Sequence, residues 1–422
     1  MKRRHLQEVV QGALSHFPAV LLTGARQVGK STLAQSLIGS GWKAAYLTLD
    51  DRTVLDAALR DPDGFVSGAR PPLVLDEVQR APDLMRAIKR QIDRDRQPGR
   101  FLLTGSANVL TLATVSETLA GRVALLTLYP FSWSEIAEKP VSGALEALFE
   151  VNTSGDLLRR LPGSTSREYR DEITQRVLSG GYPVPALMDS PDMKYRWFSS
   201  YRETYLERDL LGIRAIENIP DFNRLLALVA FRTGGLLNLS DLSREVGLPF
   251  TTLRRFMNLL EMTYQIFLLH PYFANVGKRL IKTPKVYLTD TGMACYLRGV
   301  GDWSTLEHQG QTGALVETWA AMEILKLLAV LDPRYRLYFF RSHAGREVDF
   351  LVERGKQLVA IEVKWGSSIS DSDVANVERC ASDLKGSVHF SAILYGGTEV
   401  VAFTPKIVGI PFPIFFGIDV LS

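Results

Sequence analysis

Residues 17–135 alternate short apolar runs with segments of helical pattern. The runs are continuously apolar, which is typical of strands buried on both faces of a parallel sheet. Strands joined by crossover helices produce this order along a chain. The predicted strands are Val20–Thr23, Ala44–Leu49, Leu73–Leu75, Phe101–Thr104 and Val123–Leu128. Residues 1–138 are therefore predicted to form one α/β domain.

The pattern changes twice after that domain. Residues 139–220 are mainly helical, with breaks at Gly163-Ser164 and at residues 180–183, and predict a helical lid or connector. Residues 221–290 combine two short helices around a turn at Gly247 with β-type runs at Tyr264–Leu269 and Lys285–Leu288. This order predicts a helix-turn-helix followed by a wing.

Residues 291–422 predict a second α/β domain. A long helix, Leu315–Val330, precedes strand-like runs at Arg336–Phe340, Val348–Val352 and Leu358–Val363. Another helix and strand follow, and the apolar tail contains Pro411 and Pro413. The prolines favour a buried terminal segment over a membrane span.

Composition narrows the class of protein. The chain has 422 residues, a net charge of +3 and two cysteines. These values exclude a disulfide framework and a strongly basic or acidic tail, so a nucleic-acid surface must be a local patch. The basic start lacks the apolar segment of a signal peptide. A cytoplasmic protein without membrane contact is expected.

A full phosphate-binding motif lies between the first strand and the first long helix of the α/β domain. It consists of Gly24, Ala25, Arg26, Gln27, Val28, Gly29, Lys30 and Ser31, followed by Thr32. Backbone amides of such a loop wrap the phosphates of ATP, the lysine supplies a positive charge, and the serine hydroxyl ligates Mg²⁺. These nine residues are the predicted nucleotide-binding residues.

The second half of an ATPase site follows the strand at Leu73–Leu75. Asp76 is predicted to hold Mg²⁺, and Glu77 to act as the general base that activates water. The next strand ends in small polar residues, of which Thr104 and Ser106 are favoured over Asn108 as sensors of the γ-phosphate. The same hydroxyls can instead cap a helix. Arg122 is a candidate arginine finger, with a plain salt bridge as the alternative.

A second set of charged residues lies in the carboxy-terminal domain. Asp349 and Glu362 stand within apolar strands, and Lys364 shares a strand face with Glu362 because strand side chains alternate. Glu317 lies on the preceding long helix. Carboxylates in apolar runs need a partner or a metal, so Glu317, Asp349 and Glu362 are predicted to bind Mg²⁺ or Mn²⁺. A structural charge cluster is the alternative.

The helix-turn-helix carries basic residues that can contact phosphates. Arg254 and Arg255 lie on its second helix, after Thr251 and Thr252. Lys278, Arg279 and Lys282 lie in the predicted wing. Contacts to phosphate position a protein on DNA without reading its sequence. Such domains also serve as packing modules, so both readings stay open.

Together these motifs resemble the prokaryotic AAA+ predicted ATPases whose carboxy-terminal domain of unknown function is similar to the PD-(D/E)xK nuclease fold. The resemblance implies ATPase roles for Lys30, Ser31, Asp76 and Glu77, a sensor at Thr104 or Ser106 and a finger at Arg122. It also places Glu317, Asp349, Glu362 and Lys364 on the nuclease positions. The chain departs from the nuclease name at Val348, where a proline is expected.

The leading hypothesis from these motifs is an ATP-driven machine that binds and remodels or translocates DNA, including branched or single-stranded DNA. It further implies a homo-oligomer, with a hexamer as one arrangement, and leaves open whether the nuclease-like set cleaves. A different class is a regulatory or defence switch that acts through a protein partner and has an inactive nuclease fold. A toxin–antitoxin component is a third class.

Overall fold

The computed structural model describes residues 2–39, 41–106, 119–207, 218–273, 282–342, 344–384 and 386–419. The chain divides into two compact units. The first contains residues 1–131 together with Leu259–Gln265, and the second contains residues 132–258 and 266–422. The second unit includes most of the three domains predicted for residues 139–422.

A five-stranded parallel sheet forms the first unit, which confirms the predicted α/β domain. Its strands are β1 (Ala19–Thr23), β2 (Ala45–Thr48), β3 (Leu73–Asp76), β4 (Phe101–Thr104) and β5 (Val123–Thr127). They lie in the order β2-β3-β4-β1-β5. The helices described between residues 2 and 106 of this unit are Leu6–Leu14, Lys30–Gly39, Arg52–Arg60, Pro62–Gly68, Leu84–Arg94 and the 3-10 helix Val78–Arg80.

The sheet order follows from burial. Strands β1, β3 and β4 are buried along their whole length, and they occupy the three central positions. The outer strands β2 and β5 are only partly buried. One face of the sheet packs on Leu84–Arg94, which buries Leu84, Ile88 and Ile92. The apolar centre thus fixes the carboxyl ends of β1, β3 and β4 side by side.

The second unit contains two sheets. Strands β6 (Gly235–Leu236), β7 (Ile266–Leu269) and β8 (Lys285–Leu288) form an antiparallel sheet with β8 in the centre. A six-stranded mixed sheet has the order β13-β14-β12-β11-β10-β9. Its strands are β9 (Tyr335–Arg341), β10 (Glu347–Arg354), β11 (Gln357–Lys364), β12 (Val388–Tyr395), β13 (Val401–Thr404) and β14 (Ile407–Pro411). The predicted further α/β sheet is confirmed.

Helices surround both sheets of the second unit. The amino-terminal ones are Trp133–Ile136, Ala144–Glu150, Ser154–Leu158, Arg170–Ser179, Pro183–Ala186, Pro191–Tyr201 and the π-helix Arg202–Glu207. Then follow Ile219–Phe231, Leu239–Val246, Phe250–Met262, Thr291–Leu297, Trp303–His308, Thr312–Val330, Asp371–Asp383 and Phe412–Phe415. The helix Phe250–Met262 begins in the second unit, and its last residues belong to the first. In the described part of the chain, no helix has the length and apolar character needed to cross a membrane.

The break at residues 180–183 is held by a buried carboxylate. Asp290 accepts hydrogen bonds from the backbone amides of Gly181, at 2.7 Å, and Met293, at 2.9 Å. Burial raises the pKa of Asp290. The second of these bonds caps the helix Thr291–Leu297. The side chain of Asp290 therefore connects the start of the helix Thr291–Leu297 to the break at residues 180–183.

Close packing of that helix gives a stability prediction. A Cβ atom at Gly292 would lie 2.6 Å from both the Phe198 ring and the Ser179 carbonyl oxygen. Gly292→Ala should therefore lower the free energy of unfolding by about 1–3 kcal/mol, through overpacking. Gly301→Ala is the matched control, because no atom lies within 4 Å of its added Cβ. Urea unfolding of both variants measures the difference, and equal midpoints would contradict this packing.

Candidate functional site: a nucleotide site at the sheet edge

The phosphate-binding loop is built from backbone conformations that suit glycine. Gly24 has a φ of 140° and Gly29 a φ of 97°. A Cβ at Gly24 would overlap the carbonyl oxygen of Leu128. Gln27, at the exposed tip, also has a positive φ of 61°. The loop then leads into the helix that begins at Lys30, so its amides and the positive end of the helix face the same space.

Lys30 turns its side chain back into this loop. Its ammonium group donates to the carbonyl oxygens of Gly24, at 3.1 Å, and Ala25, at 2.8 Å. The side chain is buried, with an exposed fraction of 5%. Burial lowers the pKa of Lys30 to about 8, although Glu77 and Asp76 act in the opposite direction. Lys30 thus lies next to the space where phosphates are predicted to bind.

The carboxylate of Asp76 accepts hydrogen bonds from hydroxyl groups on three sides. The Ser31 hydroxyl donates to its two oxygens, at 2.9 and 3.0 Å. Tyr46 donates to it at 2.8 Å, Thr48 lies at 3.5 Å, and Thr104 also donates to it. Burial and the bond to Asp76 raise the pKa of Tyr46 to about 12. Ser31 and Asp76 form a pair of hard oxygen ligands, which fits the predicted Mg²⁺.

Glu77, the predicted base, follows Asp76 in a left-handed backbone conformation with a φ of 59°. Gln79 connects it to the next strand end. The Gln79 amide nitrogen donates to the Glu77 carboxylate and, at 2.9 Å, to the Ser106 hydroxyl. An amide nitrogen has two hydrogens, so it can make both bonds. Gly105 leaves room for Gln79, because an added Cβ would lie 2.8 Å from its side-chain oxygen.

These contacts separate the two predicted sensors. Thr104 is fully buried and directs its hydroxyl to Asp76. Ser106 accepts the bond from Gln79, which leaves the hydrogen of its own hydroxyl available to another acceptor. Asn108, the third candidate, lies outside the described residues. Thr32 is exposed in the first turn of the helix, beyond Ser31.

Two residues that support the phosphate loop, Arg4 and Tyr264, were not predicted from the sequence. Arg4 is buried and donates to the carbonyl oxygens of Val28, at 2.8 Å, and Tyr129, at 2.5 Å. Its guanidinium also lies 4.6 Å from the centre of the Phe131 ring. Thr23, the residue before the loop, shares a hydrogen bond of 2.8 Å with the hydroxyl of Tyr264. The basic start of the chain was a signal for Arg4, whereas nothing local marked Tyr264.

Arg122, the candidate finger, makes an intrachain ion pair. Its Nε donates to Asp93 Oδ1 at 2.6 Å, and its Nη1 donates to the carbonyl oxygen of Ala120 at 3.1 Å. This ion pair lowers the pKa of Asp93. The geometry corresponds to the structural alternative given for Arg122. Its role as a finger stays a prediction.

The charged residues of the second unit converge around Lys285, which the sequence reasoning did not select. We call Glu317, Glu347, Asp349 and Glu362 the acidic cluster. The Lys285 ammonium lies 2.9 Å from Glu317 Oε1, 2.5 Å from Glu347 Oε1 and 3.8 Å from Asp349 Oδ1. Burial lowers the pKa of Lys285, but these carboxylates raise it more, so it lies above its usual value.

The other side of the acidic cluster is paired as well. Lys364 lies 3.0 Å from Glu362 Oε1 and 3.2 Å from Asp373 Oδ1. Asp349 accepts a hydrogen bond of 2.9 Å from the backbone amide of Val363. Burial, together with the neighbouring charges of Glu317 and Glu362, raises the pKa of Asp349 well above its usual value.

The predicted carboxy-terminal metal site has no support in this geometry. Glu317, Asp349, Glu362 and Lys364 do come together, as predicted. Among the described residues, however, no three His, Cys, Asp or Glu side chains are placed to hold a metal ion. Lys285 lies where carboxylates from the helix Thr312–Val330 and strand β10 meet. The roles predicted for these four residues stay predictions.

Three domain families match successive parts of the chain. Residues 16–137 match the AAA domain, residues 170–304 match a domain of unknown function, DUF8612, and residues 312–415 match another, DUF4143. The first match confirms an AAA-type ATPase domain on the parallel sheet. The third confirms the expected carboxy-terminal domain of unknown function, and its resemblance to a nuclease fold stays a prediction.

Relatives align along almost the whole chain. The uncharacterized protein Rv2008c of Mycobacterium tuberculosis is 32% identical over 97% of this chain and 84% of its own length. The uncharacterized protein MJ1544 of Methanocaldococcus jannaschii is 20% identical over 92% of this chain and 84% of its own length. The Walker-type ATPase PABY2304 of Pyrococcus abyssi is 15% identical, with 69% of this chain and 94% of that one covered. Its TM-score of 0.43 is too low to establish a common fold.

The lowered pKa of Lys30 predicts a pH-dependent nucleotide affinity. Phosphate oxygens favour the charged ammonium, so nucleotide binding raises the pKa of Lys30 above its value of about 8 in the free protein. Affinity for ATP should be constant below pH 8. Above it, the dissociation constant should rise by up to about tenfold per pH unit, since binding then requires uptake of a proton.

Nucleotide titrations between pH 7 and 10 measure this effect. Lys30→Arg is the control, because a guanidinium stays protonated throughout this range. Its dissociation constant should not change with pH, whatever its absolute value. A wild-type profile as flat as that of Lys30→Arg would contradict the lowered pKa.

Proposed function

This chain belongs to the same family as Rv2008c of Mycobacterium tuberculosis, and we propose that it is a magnesium-dependent ATPase that couples ATP hydrolysis to the binding and remodelling of DNA. The observation that carries the ATPase part is the direct contact between Ser31 and Asp76. This contact supports the proposal because it joins the two side chains that would hold Mg²⁺, next to the phosphate loop and Lys30.

The neighbouring residues supply the remaining steps. The loop amides and Lys30 bind the phosphates, while Ser31 and Asp76 would hold the Mg²⁺, which neutralises phosphate charge. Glu77 accepts a proton from the water that attacks the γ-phosphorus, and the bond to the β-phosphate oxygen breaks to release ADP. Ser106 donates its free hydroxyl hydrogen to the γ-phosphate, and Gln79 links it to Glu77.

Two substitutions separate binding from hydrolysis. Lys30→Ala removes a charge from the phosphates and should weaken nucleotide binding. Glu77→Gln keeps the side-chain shape but removes the base, so ATP affinity should be retained while turnover falls by about 10²- to 10⁴-fold. Equilibrium nucleotide binding and steady-state hydrolysis measure the two effects.

Asp83→Asn is the matched control for Glu77→Gln. Asp83 is an exposed acid without a side-chain cap bond, and its ion pair with Arg86 is long, at 3.8 Å. Its conversion to an amide should leave turnover unchanged. Normal hydrolysis by Glu77→Gln would remove Glu77 from the mechanism.

The DNA part of the proposal is supported by residues 219–288. The helix Ile219–Phe231, strand β6, two helices and strands β7 and β8 follow one another in the order of a winged helix. Thr251, Arg254 and Arg255 are exposed or half-exposed near the start of the second of the two helices. Within the described residues, neither guanidinium takes part in an ion pair. Both are therefore available to phosphates.

Lys282, in the predicted wing, is exposed, whereas Lys278 and Arg279 lie outside the described residues.

A second candidate function is a nucleotide-dependent switch that acts through a protein partner. It is favoured by exposed apolar side chains in one short stretch: Val184, Leu187, Met193 and Tyr195. Assembly into a homo-oligomer with Arg122 as a finger between subunits stays a prediction, because Arg122 would have to leave Asp93.

Replacing the two exposed arginines should weaken DNA binding. The variant Arg254→Ala/Arg255→Ala removes two phosphate contacts, so its affinity for duplex DNA should fall. The slope of log affinity against log salt should also decrease by about 2, since each contact contributes about 0.9. Binding titrations at several salt concentrations, with single-stranded, duplex and branched DNA, measure this.

Arg379→Ala is the control. Arg379 is an exposed arginine on the helix Asp371–Asp383, which lies outside residues 219–288. It should change neither affinity nor slope. DNA-stimulated ATP hydrolysis would support the coupling. Two results together would reject it in favour of the protein-partner switch. One is a hydrolysis rate that no form of DNA changes, and the other is an unchanged slope of log affinity against log salt in the double variant.

A further inference from the structure

We propose that the ammonium group of Lys285 takes the place of a divalent metal ion in the acidic cluster, so that the carboxy-terminal domain excludes the metal which a nuclease would need. The cluster is then a metal-free ion-pair site. This inference does not depend on the ATPase or on DNA binding. It concerns only residues of the second unit.

The ammonium of Lys285 occupies the position that a metal ion would need. It lies between Glu317, on the helix Thr312–Val330, and Glu347 and Asp349, on strand β10, at 2.9, 2.5 and 3.8 Å. A metal ligated by Glu317 and Asp349, as the sequence predicts, would have to occupy this same space. Two cations cannot share it, because each repels the other at short range in a buried setting.

The neighbouring carboxylate oxygens already accept hydrogen bonds or form ion pairs. The Tyr287 hydroxyl donates to the same oxygen of Glu317 at 2.7 Å. The second oxygen of Asp349 accepts from the backbone amide of Val363. Glu362 is paired with Lys364 at 3.0 Å. An incoming metal would therefore have to break several hydrogen bonds and ion pairs as well as displace Lys285.

Lys285 lies on a central strand, and its side chain is buried. It is the first residue of β8, the central strand of its sheet, and pairs with Leu236 on one side and Leu269 on the other. Its side chain has an exposed fraction of 4%. The ammonium also lies 5.7 Å from the centre of the Phe339 ring. A metal would therefore have to draw a buried and paired ammonium out of the acidic cluster before it could bind.

The shape of strand β10 is part of the arrangement. Its register against β9 shifts between Val348 and Leu351. Such an irregularity changes the direction of a side chain. Asp349 lies within the shifted segment, and Glu347 and Asp349 are two positions apart, as expected for residues on one strand face. Both side chains lie near the Lys285 ammonium, so the irregular strand directs two carboxylates to one buried cation.

Manganese binding to the full-length, nucleotide-free protein tests the proposal. Loss of the electron paramagnetic resonance signal of free Mn²⁺ measures binding. Wild type and Glu362→Gln should bind Mn²⁺ equally, since no metal enters the acidic cluster. Lys285→Met should gain one Mn²⁺ site. Its affinity for Mn²⁺ should therefore be at least about tenfold higher than that of wild type. Adding Glu317→Gln to Lys285→Met should remove the gain, because Glu317 is one of the carboxylates that contact Lys285, and this assigns the site.

Thermal unfolding gives a second readout. Lys285→Met leaves the carboxylates without their cation, so it should unfold at a lower temperature in a chelator and regain stability in Mn²⁺. Wild type should show no such difference. Lys285→Arg keeps the positive charge and should gain no site. Lys356→Met changes an exposed lysine at the turn between β10 and β11 and should behave as wild type.

Two results would overturn the proposal. One is Mn²⁺ binding by wild type that Glu362→Gln abolishes, a comparison that requires no change at Lys285 and stands even where Lys285→Met does not fold. The other is a folded Lys285→Met protein that gains neither a Mn²⁺ site nor metal-dependent stability. Equal binding by wild type and Glu362→Gln, together with a gain in Lys285→Met that Glu317→Gln removes, supports it.

Discussion

The nucleotide site depends on one buried negative charge, the carboxylate of Asp76. Taking a carboxylate out of water costs free energy unless donors surround it. Here Ser31, Tyr46 and Thr104 provide those donors from the helix after the phosphate loop and from the strands on either side of β3. The requirement to satisfy Asp76 therefore ties the loop helix to the central sheet. It also keeps a negative charge close to Lys30, whose own burial favours its neutral form.

The main nucleotide residues were predictable from the sequence because their convergence follows from a general rule. Parallel strands end at one edge of a sheet, so Lys30, Ser31, Asp76, Thr104 and Ser106, which end or follow three of these strands, lie at the same edge. Tyr46 was not predictable, since its contact with Asp76 requires β2 to lie beside β3. Arg4 and Gln79 were missed for a related reason: their partners are fixed by the folded loop and not by spacing along the chain.

The second unit shows the limit of the same reasoning. Glu362 and Lys364 were paired correctly, because alternation along a strand is a local property. Glu347 was missed although it stands two positions before Asp349 and shares its face. Lys285 was beyond reach, since the sequence assigned it to the winged-helix segment and assigned the carboxylates to the domain that follows. The apolar setting of Asp349 and Glu362 did indicate that they need partners; it could not tell an ammonium group from a metal ion.

The division of the chain has a consequence for its synthesis. Residues 259–265 belong to the first unit, and Tyr264 contacts Thr23 just before the phosphate loop. When residue 131 leaves the ribosome, the first unit is thus still incomplete, and it stays so until residue 265 emerges. At about 5–20 residues per second this delay is on the order of ten seconds. The nascent ATPase unit therefore lacks the contact between Tyr264 and Thr23 while most of the helical part of the second unit is being translated.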